Sequence, residues 1–198
     1  MSDDIRITAT PVTEKSCRFN VDRPVYAEAS YYFGKKEMAE SSDLPRRLFE
    51  IEGITSVLIS HDEITVNKGG FEEWQAIGPQ IGKAIREHVA SGEPAVSVEL
   101  RSSIPPSAEL RGRVEEILES EINPSVASHG GVVHLLDVRD NNLFIQMGGG
   151  CQGCGMASVT LKHGVEAAIR QAIPEIGAIL DVTDHAAGRN PYYAQSGA

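Results

Sequence analysis

The first half of the chain alternates apolar and polar residues in short runs, and this period of two is typical of strands. The alternation predicts four strands in this half, at residues 5–12, 16–25, 54–61 and 63–69. The last two strands are close enough in sequence to form a hairpin, which we expect to turn at His61-Asp62.

A second period, of three to four residues, predicts the helices of this half. Residues 26–41 mix aromatic and charged side chains, and we expect a loop and a short helix there. Asp43 is predicted to cap a short helix that ends near Gly53. The longest helix is predicted to begin at Gly70, and its apolar face is formed by Trp74, Ile77, Ile81, Ile85 and Val89.

The second half follows the order helix–strand–strand–helix–strand. Ser107 is predicted to cap the first helix, and Asn123-Pro124 to end its regular part. The two strands are joined at Asp140-Asn141-Asn142, a favourable sequence for a tight turn. The elements after the first helix are predicted at residues 132–138, 143–147, about 156–172 and 178–182.

These patterns predict an α+β protein made of two small two-layer domains joined by a linker. The first domain is expected to span residues 1–92. Residues 93–106 are rich in proline and serine, which is typical of a linker. The second domain is expected at 107–185, and residues 186–198 are predicted to form a mobile tail.

The charge distribution excludes several kinds of partner. Residues 1–105 contain 12 Lys/Arg and 17 Asp/Glu, and residues 106–198 contain 6 and 11, so each half carries −5 of the net charge of −10. Neither half has a basic patch suited to a phosphate backbone. The first residues lack the features of a secretion signal, and no apolar run is as long as a membrane span. We therefore expect a cytoplasmic protein that binds neither nucleic acid nor membrane.

Two of the three cysteines form a C-x-x-C pair, Cys151 and Cys154, within the glycine-rich sequence GGGCQGCGM. The pair lies between a predicted strand and a predicted helix, where the positive end of the helix dipole lowers the pKa of a thiol. The glycines allow backbone N–H groups to approach sulfur. In a reducing compartment such a pair is more typical of metal binding or redox chemistry than of a structural bridge. Cys17, beside Phe19 on a predicted strand, is expected to be a small buried residue.

Three interpretations of the pair compete. A structural zinc site needs four ligands, and His129, His134 and His163 are candidates, but none has a finger-like spacing to the pair. A thiol–disulfide oxidoreductase also uses a C-x-x-C between strand and helix. Against it, the pair lacks the aromatic and proline neighbours of a thioredoxin-like site, and the element order does not predict a βαβ unit with a parallel sheet. In the third interpretation, a second copy of the chain supplies the missing two ligands to a shared cluster.

The segment GGGCQGCGMASVTLKHGVEAAI resembles the cysteine motif of the Nfu family, whose shared module is the NifU-like carboxy-terminal domain. Residues 122–138 resemble the segment that precedes the cysteines in that module, and residues 173–193 resemble its end. Residues 30–69, with the Trp74 helix that follows, are similar to the amino-terminal domain often fused to it. The resemblance therefore extends over most of the chain.

This resemblance implies a scaffold or carrier of iron–sulfur clusters rather than an enzyme. Cys151 and Cys154 would bind a [4Fe–4S] cluster, one per dimer, and the homodimer would form on cluster binding. The cluster assembly machinery would be the donor, and apo iron–sulfur proteins would be the recipients. The alternative from a different class is a thiol–disulfide oxidoreductase that uses the same two thiols.

Overall fold

The computed structural model describes residues 4–128, 130–149 and 156–182. The predicted tail, 186–198, lies outside the described residues. The chain divides into two compact units, Met1–Ile104 and Pro105–Ala198. Each unit combines one sheet with several helices, which confirms the predicted α+β class. No helix in the described ranges is both long and apolar enough to cross a membrane.

The first unit contains a five-stranded antiparallel sheet in the order β1-β2-β5-β4-β3. Its strands are β1 (Ile7–Thr13), β2 (Ser16–Val21), β3 (Tyr26–Phe33), β4 (Ile54–His61) and β5 (Glu63–Lys68). The predicted hairpin of β4 and β5 is confirmed, with His61 at a positive φ of 51° in the turn. The alternation also predicts correctly which side chains face the core, because Cys17 and Phe19 are buried on one face.

The prediction of a loop at the start of residues 26–41 was wrong, because Tyr26–Phe33 is the edge strand β3. Tyr31 and Phe33 are buried, with their rings 4.8 Å apart, so these aromatics belong to the core. A register shift between Tyr26 and Ser30 interrupts the alternation that would have marked the strand. The expected short helix is present as a 3₁₀ turn at Lys36–Ala39.

Three α-helices complete the first unit: α1 (Asp43–Phe49), α2 (Trp74–Ser91) and α3 (Val98–Ser102). Asp43 does not act as the predicted cap, since it is the first residue of α1 and its carboxylate accepts hydrogen bonds from Arg46 and Arg47 at 2.6 and 2.7 Å. The second helix starts at Trp74 rather than at Gly70.

Residues 93–106 differ from the extended linker expected from their prolines and serines. They contain α3, and Ala95 and Val96 are buried with the core of the first unit. The Ser97 backbone N–H donates a hydrogen bond to Ser42 Oγ at 2.9 Å, which ties the segment to the start of α1. Buried alanine and valine side chains therefore outweigh the breaker residues around them.

The second unit begins with α4 (Ser107–Ile117), a π-helical turn (Leu118–Ile122) and α5 (Asn123–Ala127). It continues with β6 (Gly131–Arg139), β7 (Asn142–Gly149), α6 (Met156–Ala172) and β8 (Ile179–Asp181). The sheet order is β6-β7-β8, with β6 and β7 antiparallel and β7 and β8 parallel.

The parallel pairing corrects one expectation. The sequence was not expected to form a βαβ unit, yet β7, α6 and β8 are one, because parallel neighbours need a crossover and α6 provides it. The order of the elements was predicted correctly, but their order does not specify which strands pair. The C-x-x-C pair therefore lies in the first connection of a βαβ unit.

The turn between β6 and β7 holds β8 in place. Asn141 is fully buried, and its Nδ2 donates to the carbonyl of Glu175 at 2.8 Å. The carbonyl of Asn141 accepts from Gly177 N–H at 3.0 Å, and Asn142 Oδ1 accepts from Ala178 N–H at 2.8 Å. The two asparagines thus bind the segment that leads into β8, beyond their predicted role as turn residues.

Replacing Asn141 by alanine is expected to destabilise the second unit by about 1–3 kcal/mol, because the half-buried carbonyl of Glu175 loses its donor. Asn141→Asp keeps the size of the side chain and removes the same donor, so we expect a loss in this variant too. Urea unfolding followed by far-UV circular dichroism would measure both. The single tryptophan, Trp74, lies in the first unit, and its fluorescence serves as the internal reference. Unchanged midpoints in both variants would contradict this role of Asn141.

Candidate functional site

Cys151 and Cys154 lie outside the described residues, but the elements on both sides of them are described. Strand β7 ends at Gly149, and helix α6 begins at Met156. Because α6 crosses back between two parallel strands, its first turn lies toward the carboxyl edge of β7 and β8. The predicted position of the pair, between a strand end and a helix start, is confirmed by these bounds.

The beginning of β6 lies beside the end of β7 at this edge. Gly131 pairs with Gly149, and Val132 pairs with Gly148. A Cβ atom on Gly148 would lie 3.0 Å from Val132 Cγ1, so the strands leave no room there for a larger residue unless Val132 moves. Gly130 has a φ of 71°, and its N–H donates to the carbonyl of Ala127 at 2.9 Å. The end of α5 is thus connected to the same edge of the sheet.

Asn123 connects the helical segment with the first residues of β6. Its Oδ1 accepts from Val133 N–H at 2.8 Å, and its Nδ2 donates to the Val133 carbonyl at 3.1 Å. The side chain therefore pairs with the edge strand β6 as another strand would. Sequence reasoning missed this role, because Asn123-Pro124 was interpreted only as the end of the regular part of the first helix, and helical structure continues to Ala127. An asparagine inside a helical segment was the available signal.

Asn123→Ala is expected to lower the stability of the second unit by about 1–3 kcal/mol, because both backbone groups of Val133 lose their partner. Asn123→Asp keeps the acceptor and loses the donor, so its effect should be smaller. Amide hydrogen exchange would show the effect directly, as faster exchange at Val133. Ser120→Ala, which removes an exposed hydroxyl bonded to the Glu116 carbonyl, is the control. Equal protection of Val133 in all these proteins would exclude the pairing.

A group of charged side chains lies between α6 and the end of β8. Lys162 Nζ is 3.8 Å from Asp181 Oδ2, and Asp181 is largely buried. Burial raises the pKa of the nearby Glu166, and Lys162, Arg170 and His163 oppose this increase. The negative charge of Asp181 adds to the increase in the pKa. Lys162 is the first residue of α6 whose side chain the structure describes. The electrostatics of the site are therefore known only for this charged group.

The raised pKa of Glu166 predicts a pH-dependent stability. A carboxyl group whose pKa is higher in the folded state binds its proton more tightly there, so the folded state loses stability as the pH rises above the usual value of 4.5. Glu166→Gln should therefore resist urea better than the wild type at pH 8, and the difference should disappear near pH 4. Glu116→Gln, on the exposed part of α4, is the matched charge change. A gain that is the same at both pH values would contradict the prediction.

The two candidate zinc ligands that the structure describes, His134 and His163, do not lie together. His134 is exposed and pairs with Gln146. Asp181, which contacts Lys162 of α6, pairs with Ile145, so α6 lies on the face opposite to His134. His163 is an exposed residue of α6, and His129 lies outside the described residues. Within the described ranges no group of three or more His, Cys, Asp or Glu side chains could hold a metal ion.

Cys17 is buried in the first unit, whereas the C-x-x-C pair belongs to the second. Its side chain is 1% exposed on β2, and burial raises the pKa of its thiol. Its Sγ lies 3.8 Å from the carbonyl of Arg18. The prediction of a small buried cysteine is confirmed.

Two family models match the chain. The model described as the amino-terminal domain of scaffold protein Nfu/NifU matches residues 5–92, and the NifU-like domain matches residues 114–180. The chain is 30% identical over 152 residues to a NifU-like protein of Schizosaccharomyces pombe, covering 73% of this chain and 58% of that protein. It is 51% identical over 82 residues to the Fe/S biogenesis protein NfuA of Pseudomonas aeruginosa, covering 41% of this chain and 42% of that protein.

Among solved structures, a solution structure of a NifU-like protein from Saccharomyces cerevisiae matches 50% of this chain and 91% of that chain, with 22% identity and a TM-score of 0.45. The matched regions span about half the length of the two curated relatives. The two domain matches, in the order found here, define a two-domain protein with a NifU-like module. The chain belongs to the Nfu family.

Proposed function

We propose that this chain carries a [4Fe–4S] cluster between two copies of itself and delivers it to apo iron–sulfur proteins. Cys151 and Cys154 are the ligands from each copy. Family membership supports the iron–sulfur role, since the similar Pseudomonas protein is named an Fe/S biogenesis protein. The observation that carries the proposal is the number of thiols available in one chain.

The chain has three cysteines, and one of them is unavailable. Cys17 is buried in the core of the first unit, so a cluster cannot reach it without unfolding that core. Two thiols remain, while a [4Fe–4S] or [2Fe–2S] cluster is usually held by four cysteines. His134 and His163 do not complete the set together, because His134 and α6, which carries His163, lie on opposite sides of the sheet. A two-fold dimer supplies four thiolates, two symmetry-related pairs, with no further residue.

Two bonds from each subunit suit a cluster that must leave. A recipient with converging thiolates can replace the four ligands one at a time, whereas a cage formed by one chain would have to open. The chain then acts as a carrier that the cluster assembly machinery loads, and it requires no turnover chemistry of its own.

Anaerobic reconstitution with iron and sulfide tests the proposal. We expect about two irons and two sulfides per chain in a dimer, which corresponds to one four-iron cluster for two chains. About one iron and one sulfide per chain would indicate a [2Fe–2S] cluster instead. Cys151→Ala and Cys154→Ala should each abolish binding. Both measurements are made on size-fractionated protein, so that cluster content and oligomeric state are read together.

Cys17→Ala is the matched control, because it removes the third thiol and leaves the proposed ligands in place. We expect this variant to bind as much iron as the wild type. Loss of the cluster in Cys17→Ala, or a full cluster on a monomer, would overturn the assignment of ligands. A protein that stays free of iron and monomeric would overturn the carrier function itself.

A second function, thiol–disulfide exchange, is favoured by one specific observation. The pair lies in the first connection of a βαβ unit with parallel strands, which was the element missing from the sequence-based argument. In this reaction one thiolate attacks a substrate disulfide, which releases one substrate thiolate and leaves a mixed disulfide with the other substrate sulfur. The second thiolate of the pair then attacks the mixed disulfide and releases the second substrate thiolate. The substrate is reduced to two thiols, and the pair is oxidised to a disulfide.

The two functions are distinguished by a reduction assay on the cluster-free protein. An exchanger accelerates the reduction of a disulfide-bonded protein such as insulin by dithiothreitol, and Cys151→Ala abolishes this acceleration. A carrier adds nothing to the rate of dithiothreitol alone. We expect the second result.

A further inference from the structure

Phe71 is fully exposed in the connection between β5 and α2. Its relative exposure is 101%, so its ring contacts essentially nothing else in the described part of the chain. Three other large apolar side chains are exposed in the described part of the chain, and all are more covered: Val12 at 51%, Val98 at 56% and Leu136 at 41%. A single exposed apolar residue is ordinary, so the surroundings of Phe71 decide whether it has a role.

The connection that carries Phe71 is anchored on both sides. Before it, Lys68 N–H donates to the Lys15 carbonyl at 2.9 Å, and Gly69 N–H donates to the Gly53 carbonyl at 2.9 Å. After it, Trp74 Nε1 donates to the Glu14 carbonyl at 3.0 Å. The backbone on both sides of Phe71 is thus held by hydrogen bonds, which limits where the ring can be presented. Fixing a contact residue in advance lowers the entropy lost on binding.

The space beneath this segment is already filled. The carboxylate of Glu72 lies so close to Gly53 and Gly70 that a Cβ atom on either glycine would collide with it. Glu72 Oε2 is buried without a hydrogen-bond partner in the part of the chain that the structure describes. An acidic side chain, rather than the adjacent phenylalanine, therefore occupies the inner position, and Phe71 remains outside.

Phe71 lies in a connection beside the turn between β1 and β2, at one end of the first sheet. Ser16 of β2 pairs with Asn67 of β5, which places the turn between β1 and β2 next to the Phe71 segment. Val12 precedes this turn. The half-buried Trp74 is hydrogen-bonded to the turn through the carbonyl of Glu14. Four glutamates lie in the connections that meet here: Glu14 in the β1–β2 turn, Glu72 and Glu73 before α2, and Glu52 in the α1–β4 connection, whose Gly53 carbonyl accepts from Gly69 N–H. We name Val12, Phe71, Trp74 and these glutamates the Phe71 tip.

We propose that the Phe71 tip docks a recipient protein through an apolar pocket that is edged by lysine or arginine. This inference rests on the proposed carrier function. Aromatic side chains at the centre of an interface contribute much of its affinity, and the surrounding charges select the partner and raise the association rate. The four glutamates of the tip are accompanied by two lysines, Lys15 and Lys68, with Lys68 Nζ 5.3 Å from the centre of the Trp74 ring. Four negative and two positive charges leave the tip acidic, and the partner's rim is therefore basic.

The charge of the tip argues against two other occupants. An anionic lipid surface repels a rim of glutamates. A second copy of this chain presents the same glutamates at its own Phe71 tip, so two such tips facing each other would repel at low salt. A protein with a basic rim is the partner that these charges favour.

The test uses the full-length protein and two recipients, the apo form of a [4Fe–4S] hydro-lyase and an apo bacterial-type ferredoxin. Binding to the cluster-free chain is measured by calorimetry, and cluster transfer is measured as a function of recipient concentration. With at least one recipient, Phe71→Ala should raise both the Kd and the concentration for half-maximal transfer about 30-fold, the size typical of a truncated aromatic anchor. The cluster content and the maximal rate should not change.

Val98→Ala is the matched control, because Val98 is also exposed and lies in α3, whose Arg101 contacts Glu28 of β3 at the other edge of the sheet. It should behave as the wild type. Glu73→Lys should weaken binding at 50 mM salt more than at 500 mM, because screening removes the effect of the rim.

Equal transfer and binding by Phe71→Ala and Val98→Ala, or no binding of either recipient by the wild type, would overturn the proposal. Binding to vesicles that contain anionic lipid, lost in Phe71→Ala, would assign the tip to membranes instead. A change of dimer content in Phe71→Ala would assign it to self-association. If recipients bind through Phe71 but receive no cluster from the wild type, the docking surface stands and the carrier function fails.

Discussion

The parallel pairing of β7 with β8 is the constraint on which the second unit depends. Two neighbouring strands that run in the same direction require the chain to return through a crossover, and α6 is that crossover. The connection that bears the two cysteines must therefore join a strand end to a helix start at one edge of the sheet. The buried Asn141 stabilises this arrangement from the opposite edge by holding the segment that leads into β8.

Most elements could be predicted from the sequence because their periods are clear. The β4–β5 hairpin, the turn before Asn142 and the bounds of α6 follow from alternation, turn residues and helical spacing. Errors occurred where a tertiary contact overrides the local pattern. Strand β3 has a break in register, and α3 belongs to a segment whose alanine and valine are buried with the first core. Neither the break in register nor the burial of this segment can be recognised from composition.

The site shows the same division between what is local and what is not. The spacing of Cys151 and Cys154, their glycines and their position between two elements are properties of one short segment, so the sequence was sufficient for them. The pairing of Asn123 with Val133 and the raised pKa of Glu166 depend on elements that meet only in the folded unit. The prediction that no βαβ unit is present failed for this reason. Of the two arguments against disulfide exchange, only the missing aromatic and proline neighbours of the pair remain.

The two units are consecutive rather than interleaved, and this has a consequence for synthesis. The first unit ends at Ile104, so its five-stranded sheet can close on the ribosome before the second unit is made. The second unit differs, because β8 follows the cysteines in the chain and pairs with a strand that precedes them. Both thiols are therefore synthesised before the sheet beside them is complete. The site is among the last parts of the protein to form.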